Sequence, residues 1–237
     1  MKGRIKRNED ITGNKFPIIG KIKVGEKVER GQKTFPQSLD YFRVTGKYET
    51  HFKKTYGDQP SKIHIVFISD DFRDSCFERF ECRDKAGKLA AYGDGEETFV
   101  YDPATNDYKK KEAKRGLAAL GKWEAILTIR FICLGVDGVF GLFQFDTKAD
   151  KSSIPQIRDT FDTVLENVGT VINVPFDLIV DKVKSQKPDQ KHLFPVVTMV
   201  PNISKENQDK LSLFLTQGGD VKALGTLNEA KVKRLKV

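Results

Sequence analysis

Carboxylates set among glycines are the first residues whose types and spacing could do chemistry. Gly93-Asp94-Gly95-Glu96-Glu97 joins a backbone free to bend with three acidic side chains, the oxygen ligands that a hard cation takes. It lacks the alternating ligand spacing of a calcium loop, so an acidic turn is the better reading. Ser69-Asp70-Asp71 follows an apolar, β-branched run and could bring carboxylates to a metal, but Asp and Ser at a strand end are ordinary turn formers. A metal-dependent hydrolase using Asp70, Asp71, Asp94 and Glu96 is therefore the minor alternative, and neither a metal nor a cofactor is expected. No GxxxxGK[ST], HExxH or GxSxG occurs. Cys76, Cys82 and Cys133 are odd in number and lack CxxC spacing, and His51, His64 and His192 are scattered. Neither a disulfide framework nor a zinc ribbon follows from them, and the expected compartment is a reducing cytoplasm. Cys133 lies among apolar neighbours and reads as an unreactive core thiol. His51 and His64 read as structural. No catalytic residue is assigned, and an enzyme is not expected.

Binding is better supported. The 237 residues carry 41 Lys+Arg against 33 Asp+Glu, a formal charge of +8, and the pI is about 9.2. That balance suits nucleic acid or an acidic protein without choosing between them. The cations are clustered: Arg4, Lys6 and Arg7 with Lys2 near the start, Lys109-Lys110-Lys111 with Lys114 and Arg115 in a predicted loop, and Lys231, Lys233, Arg234 and Lys236 near the end. Each cluster alone is as readily a solvated surface. Tyr101 and Trp123, with Phe99 and Tyr108, lie beside the second cluster and are residue types that anchor interfaces. Phe140, Phe143 and Phe145, with Arg130 expected in the partner strand, could stack bases, although alternating aromatics in a central strand more often fill a core.

The elements that must position these residues alternate between strand and helix. Residues 1–34 are basic and glycine-punctuated and read as an extended arm with a short strand at Lys21–Val24. Asp40–Thr45 is a predicted strand, Tyr48–Tyr56 a helix closed by Gly57, and Lys62–Ser69 a strand. Cys76–Arg83 and Lys88–Tyr92 flank the turn Asp84-Lys85-Ala86-Gly87, and Ala125–Leu134 and Gly138–Phe145 flank a second turn at Gly135–Gly138. Ser153 and Gln156 match a capping box ahead of the stripe Ile154, Ile157, Phe161, Val164, Leu165 and Val168, which Gly169 stops. Strands at Phe176–Val183 and Phe194–Val200 follow, then a helix from Ser204. The expected organisation is a basic arm (1–34), a core (35–203) with an insertion (76–122), and C-terminal helices with a basic tail (204–237). The expected fold is α+β, a mainly antiparallel sheet with helices on one face and ferredoxin-like or RNA-recognition-like elements. No apolar stretch approaches the ~20 residues of a membrane-spanning helix, so no membrane partner is expected.

The order of segments also resembles a known family. Ile22-Lys23-Val24-Gly25-Glu26-Lys27 and Phe35-Pro36-Gln37-Ser38-Leu39-Asp40-Tyr41-Phe42-Arg43-Val44-Thr45 are similar to the opening of phage recombination directionality factor-like proteins. Tyr56-Gly57-Asp58-Gln59-Pro60-Ser61-Lys62-Ile63, Tyr92-Gly93-Asp94-Gly95, Gly138–Thr147, Ser152-Ser153-Ile154 and Val174-Pro175-Phe176-Asp177-Leu178 continue the match, over roughly residues 20–200. The resemblance implies an accessory protein that binds a large serine integrase on attachment-site DNA and turns integration into excision. The nucleophilic serine would belong to the integrase. Some relatives carry cysteines spaced for a metal in the segment corresponding to Cys82–Leu120; here only Cys82 stands there, so no zinc site is carried over. The partner implied is the integrase, and the basic clusters could also touch DNA phosphates. The alternative reading is a phage nucleic-acid-binding protein acting on single-stranded DNA or RNA in replication or processing.

Overall fold

The computed structural model describes residues 16–31, 33–111, 122–184 and 193–202. Arg4, Lys6, Arg7, Lys114, Arg115, the helix expected from Ser204 and the basic tail lie outside these residues.

Among the described residues eleven strands form one mixed, mainly antiparallel sheet, and three helices accompany it. Two strands, β1 (Ile18–Arg30) and β2 (Lys33–Thr45), make a long hairpin. The short strand expected at Lys21–Val24 is thus the inner part of a much longer one. The β2 side of the outer hairpin is not legible either, because Lys33–Ser38 are all exposed and show no apolar alternation. Helix α1 (Glu49–Tyr56) follows and ends at Gly57, whose φ of 85° suits glycine. After β3 (Lys62–Val66) and the single turn α2 (Phe72–Ser75) comes a meander of β4 (Cys76–Arg83), β5 (Leu89–Gly93), β6 (Thr98–Asp102) and β7 (Asp107–Lys111). Its β4–β5 turn falls at the expected Asp84–Gly87, where Gly87 N donates to Asp84 O at 3.0 Å. β8 (Trp123–Cys133) and β9 (Leu142–Thr147) form the second expected hairpin. Helix α3 (Ser153–Val168) and the pair β10 (Pro175–Lys184) and β11 (Leu193–Pro201) complete the described chain.

Strand β8 organises the sheet. One edge of it carries β9, which pairs onward to β1 in the sheet's parallel step. Its other edge pairs with β4 along Trp123–Ile129 and with β3 at Ile132–Cys133. The sheet therefore divides, one branch running β4-β5-β6-β7 and the other β3-β10-β11. The second branch curls back toward β2. Phe42 N donates to Pro60 O at 2.8 Å, and Lys182 pairs with Asp40 at 2.8 Å. Period-2 alternation sends Leu127, Ile129, Phe131, Phe143 and Phe145 into the space so enclosed. Phe52 of α1 and Ile154, Ile157 and Phe161 of α3 enter the same core cluster. Phe67 lies edge-on between Phe161 and Phe176, at centroid distances of 5.0 and 5.4 Å. The fold is the expected α+β class, with a sheet far wider than a four-stranded ferredoxin-like one.

The stripe on α3 is as expected, and Gly169 closes the helix in the left-handed conformation. The capping box does not form. The N-cap is Ser152, which makes no side-chain capping bond. Ser153 and Gln156 instead face the outer edge of β11. Val197 N donates to Ser153 Oγ at 2.9 Å, Met199 N donates to Gln156 Oε1 at 2.7 Å, and Gln156 Nε2 donates to Met199 O at 2.9 Å. The helix thereby satisfies backbone groups that β10 cannot reach and covers an edge that would otherwise invite another strand.

Candidate docking face

Three of the four carboxylates considered for metal chemistry, Asp70, Asp71 and Asp94, have structural tasks, and Glu96 takes part in the turn through its backbone N–H. Asp70 accepts from Thr170 Oγ1 at 2.9 Å and from Val171 N at 2.7 Å, tying two loops together. Asp71 caps α2 by accepting from Arg73 N at 2.9 Å. Asp94 Oδ1 accepts from Glu96 N at 2.8 Å and from Glu97 N at 2.5 Å, the hydrogen-bonding of a turn. Among the described residues no three His, Cys, Asp or Glu side chains are grouped to hold a metal ion. Cys76, Cys82 and Cys133 are buried, and burial pushes the Cys133 thiol well above its ordinary pKa, which fits the inert core thiol expected. His64 has a structural role: its Nδ1 lies 2.6 Å from Asp177 Oδ1, which also accepts from Asn202 Nδ2 at 2.9 Å.

The three lysines expected in a loop belong instead to β7, a strand at the end of the sheet. Alternation splits them. Lys110 pairs across from Phe99 and reaches Glu97 at 2.9 Å, while Lys109 and Lys111 point to the opposite face, where Lys109 pairs with Asp102. Lysines along an exposed edge strand discourage pairing with a second sheet. Tyr101 sits across from Tyr108, with rings 5.5 Å apart, and donates to Asn106 Oδ1 at 2.8 Å. Trp123 opens β8 opposite Cys82, away from Tyr101 and the β7 lysines in register. Phe143 and Phe145 are core residues, and Phe140 lies before β9, 75% exposed, with its ring edge-on to Phe16.

The sheet face opposite the core gathers a constellation that the clusters did not point to. Register places Phe77 beside Thr128 and Asp146, and Arg130 beside Gln144 and Lys21. With Arg79, Glu81, Arg83, Ile18, Ile126 and Lys148 these side chains line a groove of about 570 Å³. Glu81, 4% exposed, accepts from Arg79 Nε at 2.8 Å and from Arg83 Nη2 at 2.6 Å. The Arg79 guanidinium also lies over the Tyr92 ring at 5.2 Å. Tyr92 continues the face by stacking on Phe99 at 5.2 Å, and burial pushes its phenol up to about 12. The signal for this face was the spacing Arg79-Phe80-Glu81-Cys82-Arg83, which in any strand aims three charges one way. It was hidden because the residues they meet on β8, β9 and β1 are set by register, which composition does not specify.

The model of the recombination directionality factor-like family (Gp3-like) matches residues 19–202, and the chain belongs to that family. The match begins in β1 and closes just after β11, so it spans the whole described sheet. No curated protein and no solved structure matches the chain. The family gives the chain an accessory role in recombination. Among the described residues no helix is long and apolar enough to cross a membrane.

Proposed function

We propose that this protein binds a large serine integrase on its attachment-site DNA and shifts it from integration toward excision, without catalysing strand exchange itself. The observation that carries the reading is the family match across residues 19–202. The switch needs only differential affinity: a factor that prefers one synaptic geometry by about 5.5 kcal/mol moves a 1:99 population to 99:1. An interface of ordinary size supplies that difference. The divided sheet supports the reading by offering a broad outer face of mixed charge and aromatic character.

The test is recombination in vitro between attL and attR sites by the purified integrase encoded beside this gene, with and without the protein. Stimulated excision and a stable protein–integrase complex are expected. The same product distribution in both reactions overturns the reading. A gel shift on single-stranded DNA at two salt concentrations accompanies it; tight binding with a steep salt dependence and no integrase complex favours the nucleic-acid-binding alternative.

A further inference from the structure

The outer groove contains a cation whose charge the protein leaves unanswered. Arg130 is half-buried in the C-terminal half of β8, across from Gln144 of β9 and one residue beyond the end of the β4 pairing at Ile129. Its one hydrogen bond is a long one, from Nε to Gln144 Oε1 at 3.4 Å, and its guanidinium lies over the Phe77 ring at 5.0 Å. Among the described residues no carboxylate comes within ion-pair distance of it. Burial draws its pKa down, while Asp146 and Asp74 oppose this only at longer range. The nearby carboxylates are already engaged. Asp146 accepts from Thr128 Oγ1 and from Gln144 Nε2, each at 2.8 Å, and faces Lys21 at 3.8 Å. Glu81 is held between two arginines, and Lys148 is taken by Glu124 at 2.7 Å. The lining of the groove thus sets five cations, Lys21, Arg79, Arg83, Arg130 and Lys148, against two carboxylates, Glu81 and Asp146.

A half-buried guanidinium without a carboxylate is unfavourable in the free protein, and an incoming oxyanion relieves it. We infer that the groove between β4, β8, β9 and β1 is a docking site for an acidic peptide segment of the protein partner, with Arg130 receiving one of its carboxylates. The inference rests on the proposed function for the identity of that partner. The occupant follows from the charge pattern. A nucleic-acid strand carries a phosphate at every step and would set several of them over Asp146 and Glu81 on the groove floor. A peptide can place one carboxylate at the guanidinium fork and apolar side chains against Phe77, Ile126 and the partly exposed Ile18.

Two measurements test this with Arg130→Met, which keeps an apolar stem against Phe77, and with Lys54→Ala on α1 as a control. The first is the affinity for the cognate integrase by calorimetry, with hydrogen-exchange footprinting of the complex. Arg130→Met is expected to weaken binding at least tenfold while Lys54→Ala does not, and protection is expected on β4, β8 and β9. The second is anisotropy of a labelled alternating Glu-Leu hexapeptide against its Gln-Leu counterpart and a 12-residue oligothymidine. The acidic peptide is expected to bind best, and Arg130→Met to abolish its advantage. The melting temperature of Arg130→Met should equal or exceed that of the unaltered protein. A clear drop in that temperature would make the arginine structural and overturn the inference. Undiminished integrase binding by Arg130→Met, protection confined to other strands, or preference for the oligothymidine also overturns it, and leaves the integrase reading standing. Absence of any integrase complex overturns the integrase reading instead, and the peptide titration then decides the groove by itself.

Discussion

Replacing Ser153 separates two structural roles that look identical in the sequence. Ser153 is 1% exposed and its hydroxyl is the acceptor for Val197 N, whose residue is 2% exposed. Ser153→Ala orphans that N–H, a loss of about 1–3 kcal/mol. Gln156→Leu removes both bonds to Met199; its carbonyl keeps Thr160 Oγ1 at 3.1 Å, so the orphan is again one N–H, with about 1 kcal/mol more for the lost donor. In a chain of this size each kcal/mol lowers the melting temperature by roughly 2–4 °C. The deciding variant is Ser153→Asp. At an N-cap Asp serves as well as Ser, whereas in the α3–β11 seam it buries a carboxylate in a space that holds a hydroxyl. Ser153→Asp is therefore expected to melt below Ser153→Ala, with faster hydrogen exchange at the amides of Val197 and Met199. If Ser153→Asp melted level with the unaltered protein, the seam would not be what these residues stabilise.

Three further outcomes follow from the geometry. Burial raises the Asp177 pKa, but hydrogen bonds from His64 and Asn202 and the charges of His64 and Lys62 more than reverse this, so the folded value lies below the ordinary one. A lowered pKa contributes stability above about pH 4 that is lost as pH falls through the folded value. Asp177→Asn should accordingly cost roughly 1.5–3 kcal/mol at pH 7, and the gap in urea midpoint should narrow progressively as the pH is taken below about 4. Gly93→Ala puts a Cβ 2.5 Å from Glu97 O, so the β5–β6 turn must shift, and about 1–3 kcal/mol is expected from thermal denaturation. Replacing Lys109, Lys110 and Lys111 together by Glu sets like charges beside Asp102 and Glu97 at an exposed edge. The melting temperature should fall by less than it does for Ser153→Ala, and a larger fall would mean that β7 is held by those pairs.

Much of this architecture was legible because local signals and burial agree. The Asp84–Gly87 turn, the β8–β9 hairpin and the stripe of α3 each pair a chain-reversing or capping glycine with the correct apolar period, so backbone and side chains dictate one answer. Where they disagree, the sequence misleads. The outer part of β2, Lys33–Ser38, is polar and exposed at every position, so no alternation marks it as a strand. Ser-x-x-Gln satisfies a helix end or a neighbouring strand with the same atoms, and only the position of β11 chooses. The lysine run looked like a loop because short, polar edge strands share its composition. The sequence sets Arg130 in the strand partnering Phe143 and Phe145, where it lies; that it faces away from those rings, over Phe77, depends on register across four strands.

The parallel pairing of β1 with β9 has a consequence for synthesis. Ile18 lies opposite Leu142, 124 positions later (142 − 18). At about 5–20 residues per second, a ribosome takes roughly 6–25 s to make the intervening chain. During that interval β1 has its antiparallel partner β2 available, through a local and rapidly formed hairpin, but its other edge is open. That edge carries Lys21, whose eventual neighbour on β9 is Gln144. The cation keeps the waiting ribbon hydrated and repels the same ribbon on a neighbouring nascent chain. Once β9 emerges, Lys21 comes into range of Asp146. The same side chain thus marks the edge that waits longest for its partner and, in the finished molecule, lines the groove.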